Sequence, residues 1–386
     1  MTTVAVRPFT IDVPESVLDD LRERLRRTRW PGEIEDSGWT YGTNLAYMRE
    51  LVRYWLEDYD WRKHEAALNR LPQFVATVDG LEIHFVHVKG KGPNPLPLII
   101  SHGWPGSFYE MAEVIGPLAD PAAYGGDSAD AFDVVVPSLP GYGFSQHSHR
   151  PGMTPRRMGE IFTKLMTEVL GYDRFAAQGG DWGSLITAAM AHDHPERLIG
   201  IHLNMLGVRP NTGPGTPPLT EEEQTWLKTV QAGRDEETGY QRIQGTRPQT
   251  LTYALTDSPA GLAAWIVEKF RAWSDCHGDL ESSFTKDELL TNVMLYWVSG
   301  SIGTSIQLYY EAFHDTSLRL GPGERIETPA AFAAFPGELF GTIRSWAERS
   351  LNLQHWGTPE RGGHFAAMEE PELYVEDVRA FFRTLR

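Results

Sequence analysis

The sequence predicts an α/β protein whose mostly parallel central sheet is preceded by a helical N-terminal meander and interrupted by an inserted helical lid. Three observations carry that expectation. Short apolar runs such as Leu96-Pro97-Leu98-Ile99-Ile100 have the composition of strands buried on both faces. These runs alternate with amphipathic helical stretches. Between the apolar run Phe175-Ala176-Ala177 and the helix-like run from Leu185 to Met190 lies Gln178-Gly179-Gly180-Asp181-Trp182-Gly183-Ser184, a tight turn joining a strand to a helix.

Taken in order, residues 1–72 form the meander. Residues 12–27 carry Val13, Val17, Leu18, Leu21 and Leu25 on one helical stripe, and Trp30-Pro31-Gly32 breaks that helix. Residues 43–56 repeat the pattern with Leu45, Tyr47, Met48, Leu51, Val52 and Leu56. No strand alternation is visible here, and Trp30, Trp39, Trp55 and Trp61 are expected to pack the segment onto the main body. Residues 73–205 are the first part of the core. Strands at 74–78 and 81–88 meet at Asp79-Gly80, a hairpin signal. Further strands are expected at 96–100, 132–136 and 198–203, with helices over 110–118 and 156–169. The alternation stops near Met205. Residues 206–325 form the lid, entered through the turn-rich Asn211-Thr212-Gly213-Pro214-Gly215-Thr216-Pro217-Pro218, with helices over 220–232, 259–273, 286–298 and 305–313. Residues 326–386 complete the core, with strands at 329–335 and 351–356 and a closing helix from 371.

Composition narrows the function classes. The chain has 386 residues, 41% hydrophobic residues and 12 Trp, enough for a large core. A net charge of −17, from 35 basic and 52 acidic residues, argues against a nucleic-acid partner or an anionic membrane surface. One cysteine, Cys276, excludes an internal disulfide framework and suits a reducing compartment. No signal-peptide core and no run of about 20 apolar residues is present, so a cytoplasmic protein without a membrane span is expected. No HExxH, CxxC or properly placed GxGxxG implies a metal or an organic cofactor.

The turn around Asp181 has the small-x-nucleophile-x-small pattern of a nucleophile elbow. Gly179 and Gly183 flank it because strand and helix approach too closely there for side chains. The usual central Ser is replaced by Asp181. A carboxylate is already ionised at pH 7 and needs no base to attack an electrophilic carbon, so the expected intermediate is an alkyl ester. Alone, Gly-Gly-Asp-Trp-Gly also reads as a polar turn with a helix-capping Asp. His102-Gly103-Trp104-Pro105-Gly106-Ser107 follows an expected strand, and Gly362-Gly363-His364-Phe365-Ala366-Ala367 lies late in the chain.

With these three motifs the chain resembles an epoxide hydrolase of the α/β-hydrolase superfamily, of the microsomal type with an N-terminal helical meander. The resemblance covers nearly the whole chain. It implies that Asp181 is the nucleophile, His364 the base and Glu338, in Phe335-Pro336-Gly337-Glu338, the acid that orients the base. Glu369 and Glu370 are assigned instead to the start of the last helix. The backbone N–H groups of Trp104 and Trp182 form an oxyanion hole, and the Trp104-Pro105 peptide is expected to be cis. Lid tyrosines Tyr240 and Tyr309 protonate the opening epoxide, with Tyr310 as the alternative to Tyr309. Trp104, Trp182 and Trp265 are candidate substrate contacts, and the lid aromatics Trp265, Trp273, Tyr296 and Trp297 fit either a bulky or aromatic substrate or the lid's own core. The implied product is a vicinal diol, with no metal and no cofactor required. Detoxification and natural-product (antibiotic) tailoring are both roles found in such enzymes, and a homodimer is implied by relatives. Two rival readings are a haloalkane dehalogenase, which also uses an elbow Asp followed by Trp, and a catalytically silent binding protein. The lid tyrosines and the meander favour the epoxide over the haloalkane, and the intact Asp181, His364 and Glu338 set disfavours a silent protein.

Overall fold

The computed structural model describes residues 5–315, 319–339 and 341–386, leaving out the side chains of 234 and 235. The first four residues of the expected meander and positions 316–318 of the expected lid lie outside the described residues.

Among the described residues nine strands form one sheet: β1 (Arg7–Phe9), β2 (Gln73–Val78), β3 (Leu81–Val88), β4 (Leu96–Ser101), β5 (Phe132–Pro137), β6 (Phe175–Gly179), β7 (Leu198–Leu203), β8 (Ile326–Ala333) and β9 (Leu351–Gly357). Their order is β1-β2-β3-β5-β4-β6-β7-β8-β9. The first four neighbours pair antiparallel and everything from β5 onward is parallel. The parallel centre is the most deeply buried part, with every residue of β5 and β6 enclosed. That is why these strands read as apolar runs rather than alternating ones. The hairpin joins β2 to β3 through Asp79 (φ 50°) and Gly80 (φ 81°), the left-handed pair that a two-residue turn between twisted strands requires.

The meander differs from expectation in two ways. It contains a strand, β1, which adds to the sheet edge beside β2; three residues are too few to show alternation in a sequence. It also clasps the lid rather than only the main body. Tyr54 donates to Asp287 at 2.9 Å, Thr43 donates to the carbonyl of Ala264 at 2.8 Å, and Arg271 of the lid lies over the Trp39 ring. Trp55 and Trp61 are buried, whereas Trp30 and Trp39 are partly covered. A helix at Trp61–Leu68, capped by Asp60, was not foreseen.

The expected lid region contains helices Glu221–Glu237, Gly239–Gln244, Pro248–Asp257, Pro259–Trp273, Lys286–Ser299 and Ile302–His314. The second and third are short and lacked a sequence signal. Helix Lys286–Ser299 starts with a capping box of Thr285 and Glu288 and presses on the loop after β4. There Asn292 donates to the carbonyl of Pro105 (2.8 Å) and accepts from Ser107 (2.9 Å), while Tyr296 donates to the carbonyl of Gly106 (2.6 Å). Tyr296 is therefore a brace between lid and core. No helix among the described residues is long and apolar enough to cross a membrane.

Candidate active site

Four loops leave the carboxyl ends of parallel strands and converge, the usual location of a site in such sheets. The loop after β4 carries Trp104, the turn after β6 carries Asp181, the loop after β8 carries Glu338, and the loop after β9 carries His364.

Asp181 opens the helix Asp181–Asp193 with φ 45°, a conformation that side-chain-bearing residues rarely adopt. Its surroundings force the turn. A side chain at Gly179 would overlap the Gly183 carbonyl, and one at Gly183 would overlap the Ser101 carbonyl. The turn thus lifts the Asp181 carboxyl clear of the sheet. Ser184 is spoken for, since its hydroxyl donates to the Asp181 carbonyl at 2.6 Å.

The carboxyl has two neighbours. The Trp104 backbone N–H donates to Oδ1 at 2.7 Å, and His364 Nε2 stands 3.6 Å from Oδ2. The Trp104-Pro105 peptide is cis. Trp182 occupies the second position of the helix, so its N–H has no intrahelical acceptor. The other side of the imidazole, Nδ1, meets Glu338 Oε2 at 2.8 Å, with both side chains buried. The loops carrying this pair are tied by a parallel bridge between Gly337 and Gly363 and by the Gly337 N–H donating to the Gly362 carbonyl at 2.9 Å. Burial opposes a charge on His364, but the negative charges of Glu338 and Asp181 outweigh it. Together they hold the imidazole's pKa well above its usual value.

Of the two acids expected at the start of the last helix, Glu370 is there as its N-cap, but Glu369 is not. Glu369 closes the short helix Ala366–Glu369, and its carboxyl accepts from the backbone N–H groups of Phe365 (2.9 Å) and Asp275 (2.7 Å). It therefore pins the segment that follows His364, and burial raises its pKa to about 7. Glu370 precedes the helix Pro371–Arg383 and pairs with Arg361 at 2.5 Å.

Over the carboxyl lies an aromatic roof. The Tyr240 ring stacks on Trp104 with centroids 5.3 Å apart, and Tyr309 stands edge-on to both Trp104 (5.7 Å) and Trp182 (4.7 Å). The two tyrosine rings are 5.7 Å apart. Burial, and then the nearby Asp181 charge, raises the pKa of Tyr240; burial, Tyr240 and Asp181 do the same for Tyr309. Tyr309 is 2% exposed and its hydroxyl has no hydrogen-bond partner among the described residues. Tyr310 is 40% exposed and stacks on His314 instead, so Tyr309 is the one that faces the carboxyl.

The other lid aromatics divide. Trp273 joins the wall, its ring 5.1 Å from His364 and 5.2 Å from Tyr240, while its carbonyl accepts from the His364 N–H at 2.9 Å. Trp265 turns to Gln244, to which it donates at 2.9 Å, and makes no ring contact with the site among the described residues. Trp297 carries Arg24 over its ring on the meander side. Sequence reasoning missed two buried residues. Lys269 Nζ lies 4.8 Å over the Tyr240 ring. Glu110 follows the His102–Ser107 segment, and the signal was there: an acid set among Phe108, Met111 and Val114 on an otherwise apolar stripe. No group of three or more His, Cys, Asp or Glu among the described residues is placed to hold a metal.

Comparison with known proteins agrees with this arrangement. A family model described as "Epoxide hydrolase N terminus" matches residues 6–111, and one described as "alpha/beta hydrolase fold" matches residues 97–239. Epoxide hydrolase 1 of Sus scrofa is 39% identical over 99% of this chain and 89% of its own length. The crystal structure of juvenile hormone epoxide hydrolase from the silkworm Bombyx mori superposes with a TM-score of 0.88 at 32% identity, covering 99% of this chain and 95% of that one. Aspergillus niger epoxide hydrolase gives 0.86 at 28% identity, covering 100% and 97%. An elbow that bears a carboxylate, a buried histidine facing it and relatives aligned along almost their entire length lead to one conclusion: the chain belongs to the epoxide hydrolases of the α/β-hydrolase fold.

Proposed function

We propose that this epoxide hydrolase works through a covalent ester on Asp181, and that its substrates are aryl or bulky alkyl epoxides. The observation that carries the reading is the Asp181 carboxylate, held beside a buried His–Glu pair and beneath two buried phenols. Asp181 attacks a ring carbon from the side opposite the breaking C–O bond. Tyr240 and Tyr309, kept protonated by burial, bind the epoxide oxygen, and one supplies a proton as the alkoxide develops.

Ester formation then switches the base on. In the free enzyme two carboxylates favour the imidazolium form of His364. Esterification removes the Asp181 charge, which lowers the imidazole pKa and frees Nε2 to take a proton from water. The tetrahedral oxyanion is met by the Trp104 N–H, already aimed at Oδ1, with the Trp182 N–H as second donor. Each such donor is worth on the order of 10²–10³ in rate in acyl transfer. The walls formed by Trp104, Trp182 and Trp273 favour large apolar substituents on the ring.

Styrene oxide, propylene oxide and a chloroalkane, offered separately, test the reading. The expected result is diol from both epoxides, a higher kcat/KM for styrene oxide, and no halide. Halide release without diol, or a preference for propylene oxide, would overturn it. A cytoplasmic setting accords with the buried free thiol of Cys276. The homodimer is proposed from the resemblance alone, and sedimentation tests it.

A further inference from the structure

We propose that Glu110 holds the hydrolytic water, acting as a positioning residue for the second half of the reaction; the inference rests on the covalent mechanism above. A cavity of about 20 Å³ lies within the site, lined by Ser101, Glu110, Asp181, Asn204, His364 and Tyr374 among others. One water needs roughly 10–15 Å³ of such space and two to four polar partners. The cavity has room for one. It offers the imidazole that must take the proton, the carboxyl carbon that must be attacked, the Glu110 carboxyl, and the Ser101 hydroxyl. That hydroxyl is buried with no partner among the described residues.

Glu110 is 9% exposed. Its carboxyl lies directly over the α-carbon of Gly106, where a side chain would overlap Oε1. No cation pairs with it among the described residues. Burial raises its pKa to about 8; the nearby Asp181 charge adds to that, while His364 and the backbone at Ser107 and Gly103 oppose it. The backbone offsets only part of the cost of burying an acid here, whereas an apolar residue would pack the site with no desolvation penalty. In either protonation state it keeps an acceptor oxygen for a water O–H.

The water donates one O–H to His364 Nε2 and the other to Glu110. As its oxygen bonds to Asp181 Cγ, Nε2 takes the first proton and the carbonyl π pair moves onto the oxygen beside the Trp104 amide. Collapse breaks the ester C–O bond, and the departing alkoxide takes the proton from His364. The new Asp181 acid gives up its proton, which restores the phenol that was consumed in ring opening. Glu110 neither gains nor loses a proton.

Glu110→Met removes the acceptor at similar volume. With styrene oxide, kcat should fall about 10²-fold, the scale of a misplaced reactant. KM should fall by the same factor, leaving kcat/KM unchanged because ring opening is untouched. Intact-protein mass should show the ester accumulating. Glu110→Gln, which keeps an acceptor at the same reach, should recover most of the lost kcat. If Glu110→Met does not fold, Gly106→Ala displaces the carboxyl with a methyl and should give the same parallel fall. A loss of kcat/KM without ester accumulation, or an unchanged kcat in the variant that folds, overturns the proposal. His364→Gln keeps the two ideas apart. If it forms an ester while Glu110→Met turns over normally, only the water site fails; if it forms none, the covalent mechanism fails.

Discussion

The floor and the roof of the pocket are built by different means. The floor is a chain of polar contacts: Trp104 N–H bonded to Asp181, Asp181 facing His364 at 3.6 Å, and His364 bonded to Glu338, each anchored on a loop at a strand end. The roof is held by ring stacking, Tyr240 on Trp104 and Tyr309 against Trp182, and the Tyr309 hydroxyl has no hydrogen-bond partner among the described residues. The difference follows from the task. Floor groups act on the enzyme's own ester and can be bonded to one another beforehand. Roof donors must be open to an oxygen that arrives with the substrate.

Breaking the floor should therefore have the largest effects, and the two ends of its chain should fail differently. Asp181→Asn should lose turnover by about 10⁴-fold or more and form no adduct, as expected for removal of a nucleophile. His364→Gln should lose turnover by a comparable factor yet trap the ester, visible as the mass of one added epoxide. Equal behaviour of the two would mean that His364 is not the base.

Breaking the roof should be graded instead. Tyr240→Phe and Tyr309→Phe should each slow the ester-forming burst by about 10–100-fold, since the remaining phenol still donates, and the double variant should nearly abolish it. A double variant no worse than either single one would show that only one phenol acts.

A smaller effect comes from the acid beneath the floor. The pKa of Glu110 is raised from 4.5 to about 8 in the folded chain, so between those values the folded state holds a proton that the unfolded state has released. Stability falls with rising pH across that window. Glu110→Gln should remove the slope, opening a Tm advantage of about a few degrees over the parent by pH 8 and none at pH 4. Differential scanning at both pH values checks this. The smallest effect is expected from Tyr310→Phe. That ring faces outward against His314, and kcat/KM should stay within about two-fold.

The same contrast explains what could be read in advance. The floor is local chemistry. Asp181 between two glycines after an apolar run fixes a strand, a turn and a helix within seven residues, and His364 and Glu338 follow strands that are apolar enough to recognise. The roof depends on which side of a helix faces inward. Tyr309 and Tyr310 differ by one position, and only the buried stripe of Ile302, Ile306 and Tyr309 separates them. Trp265 and Trp273 share a helix, yet one bonds Gln244 and the other walls the site. Strand β1 and the helices Trp61–Leu68, Gly239–Gln244 and Pro248–Asp257 escaped because none of them fills the window of about 11 residues over which a stripe is recognised. Glu369 escaped because its donors, the Asp275 and Phe365 amides, are brought together only by the fold.

Everything in the floor serves a single event, transfer of an Asp181 oxygen to the substrate. A single turnover with excess enzyme in ¹⁸O-labelled water tests it directly. The diol should leave without label, and the ¹⁸O should appear in the peptide that contains Asp181. Label in the diol from the first turnover, with none in that peptide, would mean that water attacks the epoxide itself and that no ester forms.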